Sequence, residues 1–381
     1  MRLVWRSPAF FAVALCSLYC AFVILRAGGD IYELIRPRAA GSQGYDGQFT
    51  AWIAIDPLGA ERQIGGLCRA PTLGYTYERA LHSALGRLFD CEQPAYRYQR
   101  ILGAAVARLL SFGQASLVPY AILLTNLTAL GLGTAGLAAL LRMLRVSPWY
   151  ALVYGLFGGI FFAVRASTTE PLAYGLVLLA LLALQRQHFG WSAALFALAG
   201  LAKEVTLITA AGAVLALLLN RRWRTALLVG LGALAPFVGW QLVLWGWLGS
   251  FGIGSGGAGS TPFEIVPYNG VWRIFQLGIA PTTLAFAVIP LLMGVLPSLW
   301  ALWRSGRDLL RRRWTLYTLI LLANAAIIPF TPRSTFAEPF GLARFLPALV
   351  FSLILYAAQF KLRRPLRYSA LWLLFGALFL A

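Results

Sequence analysis

The chain has 381 residues, 60% of them hydrophobic and only 12% charged, with a mean hydropathy of +0.73 and a formal net charge of +19. A soluble domain carries about a quarter of charged residues, so an ordinary soluble globular protein is excluded; apolar runs of roughly 20 residues recur along almost the whole sequence. The positive charge would suit a nucleic-acid partner, but its distribution follows membrane topology and excludes that role.

Nothing alternates with the two-residue period of barrel strands, and backbone groups cannot stay unpaired in lipid. The sequence therefore predicts an all-α polytopic membrane protein, one integral membrane domain over residues 1–381. The first apolar segment, residues 8–25, follows Arg2 and Arg6. Its apolar core is long for a signal peptide and no small-x-small cleavage site follows, so it reads as a retained anchor. Cys16 and Cys20 within it read as packing residues.

The next stretch, residues 26–115, is too long for a plain connector and too rich in Phe, Tyr, Trp and Leu for disorder. Within it, Gly44-Tyr45-Asp46-Gly47-Gln48-Phe49 places a carboxylate at the membrane rim among side chains suited to a polar ligand. An ionisable group there is a functional-site candidate. Asp46 to Ile55 reads as a short amphipathic helix offering Phe49, Trp52, Ile53 and Ile55, ended by Asp56-Pro57. Asp46 can cap that helix, act as a general base, or do both. Asp56 lies ten residues on, about 15 Å along a helix and on another face. It is given a supporting role, as helix terminator or acceptor contact. Cys68 and Cys91 share this loop, where either a bridge or two free thiols can stand. Residues 95–112 predict an interfacial helix led by Tyr96-Arg97-Tyr98-Gln99-Arg100, in which Arg97, Arg100 and Arg108 return near one face. Such a row either holds phosphate or snorkels to headgroups.

Further spans are expected near 116–141, 148–164, 171–185, 190–202, 205–219, 225–247, 279–303, 314–330, 341–360 and 367–381, about 11 with the first. Glu170, before Pro171, is a helix N-terminal acid or a sugar-hydroxyl contact. Lys203-Glu204 fills the turn of a tight hairpin, paired locally or lining a cavity where Lys203 reaches a phosphate. The Gly-rich second loop, residues 248–278, reads as a flexible connector or as an anion cradle of backbone N–H groups. Arg344 opens an apolar span where lipid offers no partner, which points to a phosphate or a carboxylate.

With the N-terminus inside, the cytoplasmic ends hold 17 basic residues against the single acid Asp308, over six segments; the other side keeps 15 basic residues and 12 acids. This is the positive-inside pattern, with attraction to anionic lipid as a by-product. Carboxylate chemistry is thereby assigned to the outer face, away from ATP and nucleotide-sugars, and no nucleotide-binding glycine loop is present. The donor must arrive in the membrane. With only His82 and His188 in the chain, a zinc site of the His/Cys type is excluded.

The Gly44–Phe49 motif with Asp56-Pro57, Tyr96-Arg97-Tyr98-Gln99-Arg100-Ile101-Leu102, Glu170-Pro171, Lys203-Glu204, Gly256-Gly257-Ala258-Gly259 and Arg344-Phe345-Leu346-Pro347 resemble a bacterial membrane family tied to cell-surface glycopolymer formation. That family looks like the GT-C class of glycosyltransferases, and the likeness runs from about residue 8 to 360. The resemblance implies a multispan helical fold, a catalytic acid in the first external loop, a polyprenyl-phosphate sugar donor and inversion at the anomeric carbon. Asp46 matches that acid. Many GT-C enzymes carry paired acids close together in this loop, whereas Asp46 and Asp56 stand apart, and Thr50 replaces an aromatic position.

The expected protein is an inverting glycosyltransferase of the bacterial inner membrane, with a cytoplasmic N-terminus and a periplasmic site. Asp46 is its catalytic residue; Tyr45, Gln48, Asp56, Arg97, Arg100, Glu170, Lys203, Glu204 and Arg344 surround the substrate. The expected partners are a polyprenyl-phosphate-linked sugar donor, membrane lipid, and a glycan, lipid or protein acceptor. No cofactor is assigned, and a divalent metal is left open. The alternatives are a transporter or flippase of a phosphate-bearing lipid or glycolipid, which would lack turnover, and a non-catalytic envelope scaffold.

Overall fold

The computed structural model describes residues 7–35, 46–69, 90–257, 260–274, 287–374 and 376. Among them the secondary structure is helical, apart from one two-residue antiparallel pair, β1 (Cys68–Arg69) with β2 (Asp90–Cys91). Among the described residues four helices are long and apolar enough to cross a membrane: Pro8–Arg26, Ala115–Met143, Trp223–Leu248 and Ala287–Leu310. Two bent pairs, Pro148–Gly155 with Gly158–Arg165 and Pro339–Phe345 with Pro347–Gln359, raise the number to six if each is one span. Five shorter apolar helices accompany them. This is an α-helical membrane protein.

In chain order the helices used below are α1 (Pro8–Arg26), α2 (Gly47–Ile55), α3 (Ala60–Gly65), α4 (Pro94–Tyr98), α5 (Ile101–Leu110), α6 (Val118–Met143), α7 (Ala151–Gly155), α8 (Gly158–Arg165) and α9 (Glu170–Gln185). There follow α10 (Phe189–Ala202), α11 (Leu207–Leu219), α12 (Trp223–Leu248), α13 (Leu296–Leu310), α14 (Leu316–Ala326), α15 (Arg333–Ala337), α16 (Pro339–Phe345) and α17 (Pro347–Gln359). Helix α6 packs against α1, α5 and α9; α9 packs on α10, and α10 on α12. A second group joins α11 to α14, and α14 to α13 and α17. Helices in lipid associate through small residues that let backbones approach. Here Gly133 of α6 faces Gly175 of α9: a Cβ on Gly175 would come to 2.7 Å from the Ala129 carbonyl oxygen.

Two apolar cores result. The larger runs through α6, α9 and α17 and includes Leu137, Tyr174 and Phe351. The smaller surrounds α2 and contains Phe49, Ile53, Ala54, Tyr98 and Leu244. Helix α2 is therefore not the surface amphipathic helix that its apolar residues suggest, because Gly47, Gln48, Phe49, Ala51, Ile53 and Ala54 are all buried. The single interfacial helix expected over 95–112 is instead two helices, α4 and α5, broken at Gln99–Arg100, with α5 packed on α2 and α6. The spans expected at 148–164 and 341–360 are bent, by 53° and 47°. The second bend falls at Leu346, before Pro347, where proline disfavours continued helix.

Candidate functional site

Eight ionisable side chains from five stretches of the chain meet in one network: Asp46, Glu92, Arg97, Arg100, Glu170, Lys203, Glu204 and Arg344. Asp46 stands at the start of α2 with helical backbone angles, and its side chain makes no capping hydrogen bond. The capping role is thus not realised; the carboxylate turns to guanidiniums instead. Arg97 Nη1 donates to Oδ1 at 2.7 Å, Arg344 Nη2 donates to Oδ2, and Arg100 Nη1 lies 3.6 Å from Oδ2.

Each guanidinium is also held from behind by its own glutamate. Arg97 Nε and Nη2 donate to Glu92 at 2.8 and 2.7 Å. Arg100 Nε and Nη2 donate to Glu204 at 2.9 and 2.6 Å. Arg344 Nε donates to Glu170 Oε1 at 2.8 Å, and Lys203 Nζ shares that oxygen at 2.7 Å. The bidentate pairs at Arg97 and Arg100 fix those guanidiniums in orientation as well as in charge, whereas Arg344 is held to Glu170 by one bond. Lys203 and Glu204 do not pair locally; they reach Glu170 and Arg100.

Local sequence explains the placement. A Cβ on Gly47 would lie 2.3 Å from the Ala166 carbonyl oxygen, so only glycine lets α2 begin against the turn that leads to Glu170. Asn126 Nδ2 pins that turn by donating to the Thr168 carbonyl at 3.0 Å. The Phe49 ring lies under Arg97, 4.1 Å from its guanidinium carbon, and Tyr96 lies beside both arginines at 5.1 and 5.0 Å. Helix α4 starts at Pro94, a favoured first position. Its Tyr98 hydroxyl donates to the Pro57 carbonyl at 2.7 Å, tying the two motifs of the first loop together. Gly159 of α8 meets α16 so closely that a Cβ would come within 1.8 Å of the Ala343 carbonyl oxygen, next to Arg344.

The glycine loop is no loose connector over its described part. A Cβ on Gly252 would lie 2.7 Å from the Ala95 carbonyl oxygen, and one on Gly257 would lie 2.7 Å from Arg97 Nη2 and 3.2 Å from Glu92 Oε2. The loop lies on α4 and on the Arg97–Glu92 pair.

Not every expected residue arrives. Asp56 ends α2 and accepts from the Gly59 N–H at 2.9 Å, outside the network. Arg108 donates to the carbonyls of Ala54 and Ile55, both at 2.9 Å, so it closes the end of α2 and does not continue a phosphate-binding row. Gln48 is buried in α2 and has no place in the network among the described residues. Tyr45 lies outside the described residues. Glu92 was missed by sequence reasoning; the signal was an acid between Cys91 and Pro94, just ahead of the arginine motif.

Asp46 is the most open carboxylate of the four, with 30% of its side chain exposed against 17% for Glu204, 6% for Glu92 and 0% for Glu170. Burial pushes its proton affinity up, but Arg344, Arg97 and Arg100 outweigh this and hold the carboxyl well below the usual range. Beside the site, α5, α6 and α9 enclose an apolar groove of about 340 Å³, lined by Val106, Leu124, Leu132 and Leu176 among others. It shares Thr125 and Leu172 with a small pocket lined by Thr50 of α2, Gly103 and Ser167–Thr169, next to Glu170 in the chain. Among the described residues no group of three or more His, Cys, Asp or Glu is placed to hold a metal ion. No family model matches the sequence, no curated protein is similar to it, and no solved structure matches its fold.

Proposed function

We propose that this protein is an inverting membrane glycosyltransferase that moves a sugar from a polyprenyl-phosphate donor to an acceptor hydroxyl. The observation that carries the reading is the convergence of Arg97, Arg100 and Arg344 on the part-exposed carboxylate of Asp46. Guanidiniums in a water-poor site stabilise the negative charge that develops on a phosphate leaving group. The apolar groove beside the site offers a course for the prenyl chain. In the reaction Asp46 takes the proton of the acceptor hydroxyl, and the hydroxyl oxygen bonds to the anomeric carbon from the face opposite the phosphate. The carbon–oxygen bond to phosphate breaks, and polyprenyl phosphate leaves with the electron pair, held by the arginines.

We place the site on the periplasmic side of a bacterial inner membrane, in a GT-C-like fold of about 11 spans with its N-terminus in the cytoplasm. Two facts support that orientation. Cys91 is disulfide-bonded and Cys68 stands opposite it in the strand pair, as an oxidising compartment permits. The network also draws on segments that the charge asymmetry assigns to one side. The test is turnover of a labelled donor by purified protein. Wild type is expected to release free polyprenyl phosphate and Asp46→Asn to release none while still folded. Activity retained in Asp46→Asn would remove Asp46 from catalysis, and translocation without release would favour a flippase.

A further inference from the structure

We propose that the Asp46 carboxylate occupies the phosphate subsite of this protein, so that the donor's phosphate binds by displacing Asp46 from Arg97, Arg100 and Arg344. The inference rests on the functional reading above. The arginines share one design. Their rear N–H groups are fixed by Glu92, Glu204 and Glu170, while Arg97 Nη1, Arg100 Nη1 and Arg344 Nη2 face a single carboxylate. Those glutamates are poorly placed to leave: Glu92 and Glu170 are almost wholly out of solvent, Glu204 is less exposed than Asp46 and holds Arg100 through two bonds, and Glu170 also holds Lys203. Asp46 is the most exposed of the four and is bound to its helix by no capping bond. An incoming anion therefore finds one exchangeable partner.

Shape and charge agree. A planar carboxylate has two oxygens for three guanidiniums, and Arg100 is left at 3.6 Å. A tetrahedral phosphate presents oxygens in three directions and can engage all three. With Asp46 in place, four cations meet four carboxylates and the cluster is neutral. With Asp46 withdrawn, a single positive charge remains, which matches the single negative charge of a phosphodiester. Displacement also changes Asp46. Freed of the guanidiniums, it recovers the proton affinity that a general base requires. The base is silent until the donor is seated.

The test is the affinity of the purified full-length protein, in nanodiscs, for dihexyl phosphate, a phosphodiester with one permanent negative charge. Asp46→Asn removes the competing anion and is expected to bind about tenfold tighter than wild type. Equal or weaker binding by the folded variant overturns the proposal. A measurement on the wild type needs no variant to fold: carbodiimide labelling of Asp46, read by peptide mass spectrometry, is expected to rise when dihexyl phosphate is added. Unchanged or reduced labelling overturns the proposal equally. Sugar transfer is scored separately. Tighter binding with transfer retained would reject Asp46 as the base and keep the exchange; transfer lost without a gain in binding would do the reverse.

Discussion

At Glu170 one carboxylate oxygen accepts from both Lys203 and Arg344, and the side chain is fully out of solvent. Removing one member of a buried charge set leaves its partners uncompensated, at a cost of about 3–5 kcal/mol. Glu170→Gln is therefore expected to lower the melting temperature clearly more than Glu264→Gln, whose partner Arg273 lies in the second loop. Asp46 adds a pH dependence. Its folded-state proton affinity lies below that of an unfolded aspartate, about 3.9. Its contribution to stability is thus complete above that value and is lost as pH falls through the lower, folded one. Thermal melts should be insensitive to this group from neutral pH to about 4.5 and fall in stronger acid, and Asp46→Asn should lack that component. Seven of the eight network residues were legible in the sequence, for a physical reason: charges are scarce in so apolar a chain, and each must find a partner. Glu92 was not, because it sits in a polar loop where an acid needs no explanation. Which charge meets which was not legible either, since Arg100 and Glu204, or Asp46 and Arg344, join positions far apart in the chain.

At the level of elements, four of the expected spans were legible as single helices and two as bent pairs, because apolar length is set by the bilayer. The rest of the expected set meets only shorter helices among the described residues. The breaks were harder. Pro347 marks one bend, but the bend between α7 and α8 falls at Leu156–Phe157 with no proline to announce it. The reading of α2 failed because its apolar residues point in several directions, which suits a helix enclosed on most sides. Glycines mark the tightest joints. Gly47→Ala would drive a methyl onto the Ala166 carbonyl, and is expected to cost about 1–3 kcal/mol by overpacking, seen as a lower melting temperature. Gly257→Val should act differently. Its side chain would press on Arg97 and Glu92 from a loop, so donor turnover is expected to fall severalfold with little change in melting temperature.

At the scale of the molecule, the segments that the charge pattern assigns to one side contact one another: Lys361 Nζ donates to the Leu144 carbonyl, and Asn220 Nδ2 to the Trp314 carbonyl at 2.8 Å. The lone cytoplasmic acid of the sequence reading, Asp308, accepts from the Tyr356 hydroxyl at 2.5 Å. Alkaline phosphatase fused after Gly257 is expected to be active, and fused after Arg313 inactive; the converse pattern would invert the proposed orientation. Cys91 precedes Glu92, whose N–H donates to the Leu67 carbonyl at 2.9 Å, so a covalent clasp lies one peptide bond from the group that aims Arg97. Under the proposed function and orientation, maturation has an order: export, oxidation, competence. Protein made in a host deficient in thiol oxidation should reach the membrane yet turn over donor poorly, and mild oxidant should revive it.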